Sequence, residues 1–177
     1  MLLNSQTSRT KTITFMTLMV ALSNILSATP FAIPIAIGSM NIAVHFTQLP
    51  ILLSGILLGP WVGLLTGFLG GLYMSYSTGN PFIIGGLAIL GSICGFLTNK
   101  VKIRPTFSGI LAWAIQAPYV FITDYIWFIY TRSMPSQVAL TTVSIILAIL
   151  TIEAIIASGF TGLIIAYIKR QGIKVGS

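Results

Sequence analysis

Six apolar runs, 13–28, 42–58, 61–76, 82–98, 107–130 and 139–168, fill most of the 177 residues and are separated by segments bearing Pro, Gly, Asn or basic clusters. About 20 apolar residues is the length a helix needs to cross the hydrocarbon core of a bilayer. Lipid offers no partner to a backbone N–H or C=O, so a spanning segment must be a helix or belong to a closed barrel. These runs lack the alternation of barrel strands. The expected architecture is an all-α membrane protein, a six-transmembrane-helix bundle forming one membrane domain over 1–177. With 55% hydrophobic and 6% charged residues and a mean hydropathy of +0.98, the chain has nothing left over for a soluble domain. A cleaved signal peptide over the first run is disfavoured, because Leu26 sits badly three residues before a cleavage site and further spans follow.

Nine Lys+Arg against two Asp+Glu give a net charge of +7. In a soluble domain that balance would point to nucleic acid; here the basic residues stand at the ends of apolar runs and read as topology signals. Arg9 and Lys11 precede the first span, Lys100, Lys102 and Arg104 follow the fourth, and Lys169, Arg170 and Lys174 follow the sixth. All three clusters then face one side. By the positive-inside rule that side is the cytoplasm, both termini are cytoplasmic, and Arg132 is the only outer basic residue of a multi-pass protein of the cell (plasma) membrane. The outward connections are 29–40, 77–81 and 131–137, and 29–40, with Pro30, Pro34 and Gly38, reads as a lid folded back on the membrane surface.

No G-x-x-x-x-G-K-[ST] loop is present to cradle phosphates, so the chain is not expected to hydrolyse ATP by itself. The single cysteine, Cys94, makes neither an intrachain disulfide nor a multi-cysteine metal site. With one histidine and two acids, acid–base catalysis has few candidates, and neither enzyme activity, a metal nor a cofactor is expected.

Gly63, Gly67 and Gly71 recur every fourth residue, continuing Gly55 and Gly59 across Pro60. Small residues at that spacing line one helix face and let backbones approach in lipid, which predicts intramolecular packing. The fifth span carries Trp113, Gln116, Val120, Asp124 and Trp127 three or four residues apart, hence on one face. An intramembrane carboxylate costs about 2.5 to 3.5 kcal/mol on insertion scales, so function is the default reading of Asp124. Among aromatic rings it suits a flat ring that is cationic, amine-bearing or hydrogen-bond donating. Pairing with Arg132 to fix the helix end is the structural alternative. Glu153 lies near the middle of an otherwise apolar face of the sixth span and reads equally as a proton site, a pocket floor or a hydrogen-bonding tie to another helix. His45 and Gln48, with Asn41 one turn above, make a polar stripe at the outer end of the second span.

The stretch LPILLSGILLGPWVGLLTGFLGGL, 49–72, resembles the second and third spans of the S components of energy-coupling factor (ECF) vitamin transporters, where a proline and a short apolar run precede G-x-x-L-G-P-x-x-G-x-x-x-G. Here the pattern reads Pro50, Gly55, Leu58, Gly59, Pro60, Gly63 and Gly67. The resemblance implies capture of a small vitamin or precursor on the outer side, near Asn80, Trp113, Gln116, Asp124, Trp127, Arg132, His45 and Gln48. It also implies docking on a coupling membrane subunit that works with two ATPase subunits, through an Ala-x-x-x-Ala motif whose nearest counterpart here is Thr17-x-x-x-Ala21, with threonine in place of the first alanine. Asp124 among aromatics favours thiamine or its pyrimidine precursor as cargo, with an anionic vitamin such as biotin or a folate second, bound through Arg132. A secondary transporter coupled to protons through Glu153 is the rival reading.

Overall fold

A computed structural model describes the backbone of residues 2–28, 33–37 and 40–172, and the side chains of 9–28 and 44–172. Helix α1 (Leu2–Ser27) leads into a hairpin of β1 (Ile33–Ile37) and β2 (Met40–Val44), followed by α2 (Gln48–Leu58), α3 (Pro60–Gly70) and α4 (Leu72–Thr78). Then come α5 (Phe82–Asn99), α6 (Pro105–Tyr130) and α7 (Ser136–Arg170). With α3 and α4 counted as one span stepped at Gly71, the helices form the six-helix bundle read from the apolar runs. Among the described residues, α5, α6 and α7 are each long and apolar enough to cross a membrane, and α2 is apolar but shorter.

The second run departs from expectation. Its first residues, read as helix from 42, form strand β2, antiparallel to β1 with Ile33 opposite Val44 and Ala36 opposite Asn41. Asn41 is therefore not one helical turn above His45. The physical reason is Pro50: a helix starting at 42 would put its ring in an interior turn, where it clashes and has no N–H to donate. Starting at Gln48 puts Pro50 in the first turn, where the N–H groups have no helical acceptor anyway. The outer segment 29–40 lies partly outside the described residues, and what is described of it is this hairpin. At the other end of the first span, α1 begins at Leu2 because residues 2–12 contain no Pro or Gly to interrupt it.

Glycine sets how closely the helices approach. A Cβ at Gly63 would fall on the Gly91 carbonyl oxygen, one at Gly67 on the Leu87 carbonyl oxygen, and one at Gly95 would lie 2.8 Å from the Gly55 carbonyl oxygen. The four-residue glycine spacing thus packs α2 and α3 backbone-to-backbone against α5, a contact that substitutes for the hydrophobic drive missing in lipid. Gly59, at φ 95°, makes the turn that lets Pro60 start α3. Asn99 ties this layer by donating to the carbonyls of Gly55 and Ile56 at 3.0 and 3.2 Å. Ile51, Leu52, Leu90, Cys94 and Ala112 fill the core, while Trp61, Phe68, Ile115, Ile122 and Leu163 point outward. That distribution is the one expected where the solvent is hydrocarbon.

Candidate functional site

The fold leaves a cavity of about 640 Å³ at one end of the bundle, where α1 ends, α2 begins, α4 ends, α5 begins, α6 ends and α7 begins. All eight residues singled out for substrate, His45, Gln48, Asn80, Trp113, Gln116, Asp124, Trp127 and Arg132, line it. Its volume lies in the range of pockets that enclose small molecules. The basic clusters at 9–11, 100–104 and 169–170 lie in the first half of α1, just past the end of α5 and in the last turn of α7, remote from the cavity along the bundle.

Helix α6 supplies the polar floor and aromatic wall, because its buried face repeats at three and four residues: Trp113, Gln116, Val120, Asp124 and Trp127. The turn after α4 supplies the partner of Asp124. Gly79 adopts a left-handed φ of 72° that reverses the chain between α4 and α5. Asn80 then donates from Nδ2 to Asp124 Oδ1 at 2.7 Å, while its Oδ1 accepts the Phe82 N–H at 3.0 Å and its carbonyl accepts the Ser75 hydroxyl at 3.0 Å. Asn80 is held at two points and in turn holds Asp124. A carboxylate carries two oxygens, so Asn80 leaves capacity for a ligand donor.

Arg132 does not serve Asp124. Its Nη2 donates to the Thr78 carbonyl at 2.9 Å, and its guanidinium lies 4.7 Å from the centroid of the Trp127 ring, a cation–π contact that closes α4 against α6 at the cavity rim. The Trp113 indole donates to Thr151 Oγ1 of α7 at 3.0 Å, and Trp127 packs edge-on against Phe128 at 5.0 Å. Tyr119 donates its hydroxyl to the Phe82 carbonyl at 3.2 Å. The walls are therefore aromatic and braced.

Four buried polar atoms on cavity-lining residues have no protein partner: His45 Nδ1, Gln48 Oε1, Gln116 Oε1 and Trp127 Nε1. Buried polar groups without a hydrogen bond are costly and rare, and these four belong to side chains that line the cavity, so an occupant is an available source of partners once they rotate toward it. Gln48 and Gln116 offer acceptors and Trp127 a donor. The sequence flagged these residue types but not their unpaired state, which arises from their neighbours in space. Tyr73, Tyr119, Thr123 and Phe128 also line the cavity, and no sequence pattern sets these four apart from the other residues of their spans.

Glu153, 2% exposed, does not form part of the cavity wall. Its Oε1 accepts the backbone N–H of His45 at 2.8 Å. Thr17 and Ala21 are exposed on α1, with Ile13 and Ile25 exposed one turn before and after.

A family model described as "ECF-type riboflavin transporter, S component" matches residues 7–174. Among solved structures, the S-component for biotin from an ECF-type ABC transporter is similar at a TM-score of 0.68 and 19% identity, over 89% of this chain and 92% of that one. The S component of a bacterial ECF transporter is similar at a TM-score of 0.50 and 16% identity, over 92% and 95%. At these identities the likeness is one of fold. No curated protein matches the chain.

Proposed function

Because the chain belongs to the family of ECF-type riboflavin transporter S components, we propose that its cavity captures a flat, nitrogen-bearing vitamin, riboflavin first, on the outer side of the cell membrane. The observation that carries this reading is the set of unpartnered polar atoms inside an aromatic enclosure. A flavin ring is planar and stacks on tryptophan and tyrosine faces. Its edge bears an N–H between two carbonyls, which matches glutamine acceptors and an indole donor.

The basic clusters lie at the bundle end opposite the cavity, so the positive-inside rule turns the cavity outward and both termini to the cytoplasm. Transport then rests on partners, a coupling membrane subunit and two ATPase subunits, since the chain has no phosphate loop of its own. The exposed stripe through Thr17 and Ala21 is the docking surface in this reading. Ala21→Trp is expected to abolish copurification with the coupling subunit and leave vitamin binding unchanged; normal copurification would remove the stripe from the interface.

A second reading, thiamine or its pyrimidine precursor, rests on Asp124, whose carboxylate suits an aminopyrimidine or a cation. The description of the matched family gives thiamine no support. Biotin and folates are less favoured, because Arg132, the cation their carboxylates need, is engaged by Thr78 and Trp127. The test is tryptophan quenching of the purified protein in detergent, titrated with riboflavin, thiamine, the thiamine pyrimidine precursor and biotin. Tight, saturable quenching by riboflavin supports the assignment, and by thiamine alone moves it to the second reading. Silence across all four from folded protein would overturn vitamin capture.

A further inference from the structure

An acid in mid-membrane is expensive enough that it persists only with a role. Glu153 lies one turn beyond Ile149 and Leu150 on the α7 face that lines the cavity, yet its own side chain does not line it. Its one described partner is a backbone amide 108 residues away, the His45 N–H. His45 is the first residue after β2, whose last residue, Val44, pairs with Ile33. It therefore stands at the root of the hairpin, three residues ahead of Gln48, which opens α2.

The short connection 45–47 is held from two sides. Ser23 of α1 donates to the Thr47 carbonyl at 3.2 Å, and Glu153 of α7 accepts from His45 at 2.8 Å. Both residues bracketing the connection, His45 and Gln48, present unpartnered buried atoms and line the cavity. A backbone N–H buried in a low-dielectric interior is costly to leave without an acceptor, so the oxygen that meets it is hard to do without.

We propose that Glu153 is a positioning residue for vitamin binding: its carboxylate anchors the His45 peptide to α7 and thereby sets the hairpin root and the His45 and Gln48 side chains against the ligand. This rests on the reading of the cavity as the vitamin site. The role needs an acceptor and no proton transfer, which separates it from proton coupling through the same residue.

The test compares Glu153→Gln, which keeps an oxygen acceptor, with Glu153→Leu, which removes it, using riboflavin as probe and melting temperature as a separate readout. Glu153→Leu is expected to weaken riboflavin binding by about tenfold or more, mainly through faster dissociation as the hairpin root loosens. Glu153→Gln is expected to restore most of the affinity. A Glu153→Leu protein with lowered melting temperature and unchanged affinity would overturn the proposal, as would Glu153→Gln losing as much affinity as Glu153→Leu. Hydrogen exchange of the ligand-free wild-type chain in nanodiscs reads the contact without any variant: the peptide holding His45 is expected to be protected, and free exchange there would overturn the proposal even if Glu153→Leu does not fold. Failure of the wild-type chain to bind riboflavin while that peptide is protected would instead count against the vitamin reading.

Discussion

Gly91→Leu is expected to give no folded protein. A Cβ at this position would fall on the Gly63 carbonyl oxygen and lie 2.7 Å from the Gly63 carbonyl carbon and 2.9 Å from Ile51 Cγ2. Two of these three obstacles are backbone, so no rotamer change makes room, and α3 must separate from α5. Overpacking that side-chain shifts can absorb costs about 1 to 3 kcal/mol, and here the cost sits at or above the upper end. Loss of the close contact also forfeits packing that lipid does not replace. Even Gly91→Ala is expected to lower the melting temperature clearly and the monodisperse yield in detergent. Gly159→Ala is the matched control, since nothing lies within 4 Å of the position a Cβ would take; it is expected to melt at or above the wild-type temperature, because alanine favours a helix over glycine. Equal melting of Gly91→Ala and wild type would show that the α3–α5 backbones are not in contact.

Asp124→Ala is expected to cost most of the affinity for riboflavin while the chain still inserts and purifies. The substitution removes a carboxylate from the cavity wall and leaves Asn80 Nδ2 without the acceptor it meets at 2.7 Å. Hydrogen bonds to charged groups are worth about 1.5 to 3 kcal/mol, so a loss of about 10- to 150-fold in Kd follows. Asp124→Asn keeps the shape but not the charge and is expected to fall in the lower part of that range. Pairing each variant with Asn80→Ala in a double-mutant cycle separates Asp124's contact with ligand from its bond to Asn80. Unchanged affinity in Asp124→Asn, read by titration quenching, would remove Asp124 from the site.

Several features of the site are legible in the sequence alone. The face Trp113, Gln116, Val120, Asp124, Trp127 follows from helical periodicity alone, and all five residues are buried on α6. The glycine spacing at 55, 63 and 67 likewise announced a close helix contact, though not its partner on α5. Pro50 carried a signal that was passed over: a proline that deep in a supposed span argues that the helix starts just before it, and β2 occupies the residues assigned to helix. The alternative reading, an Asp124 pair with Arg132, fails for a different reason. Two charges near each other in sequence are not thereby near in space, and each found a neutral partner from the α4 end instead.

By itself the sequence determined the membrane class, the helical form of the spans, the glycine-packed layer and which residues of α6 share a face. Each of these depends on local periodicity or on the solvent, and lipid leaves a backbone few alternatives. The tertiary structure alone decided that Asn80 holds Asp124 across 44 residues of chain, that Glu153 holds the His45 peptide across 108, and that four polar atoms around one cavity are left unpaired. Hydrogen-bond partners at such separations are chosen by how the helices pack, and a one-dimensional pattern of apolar runs carries no record of that choice.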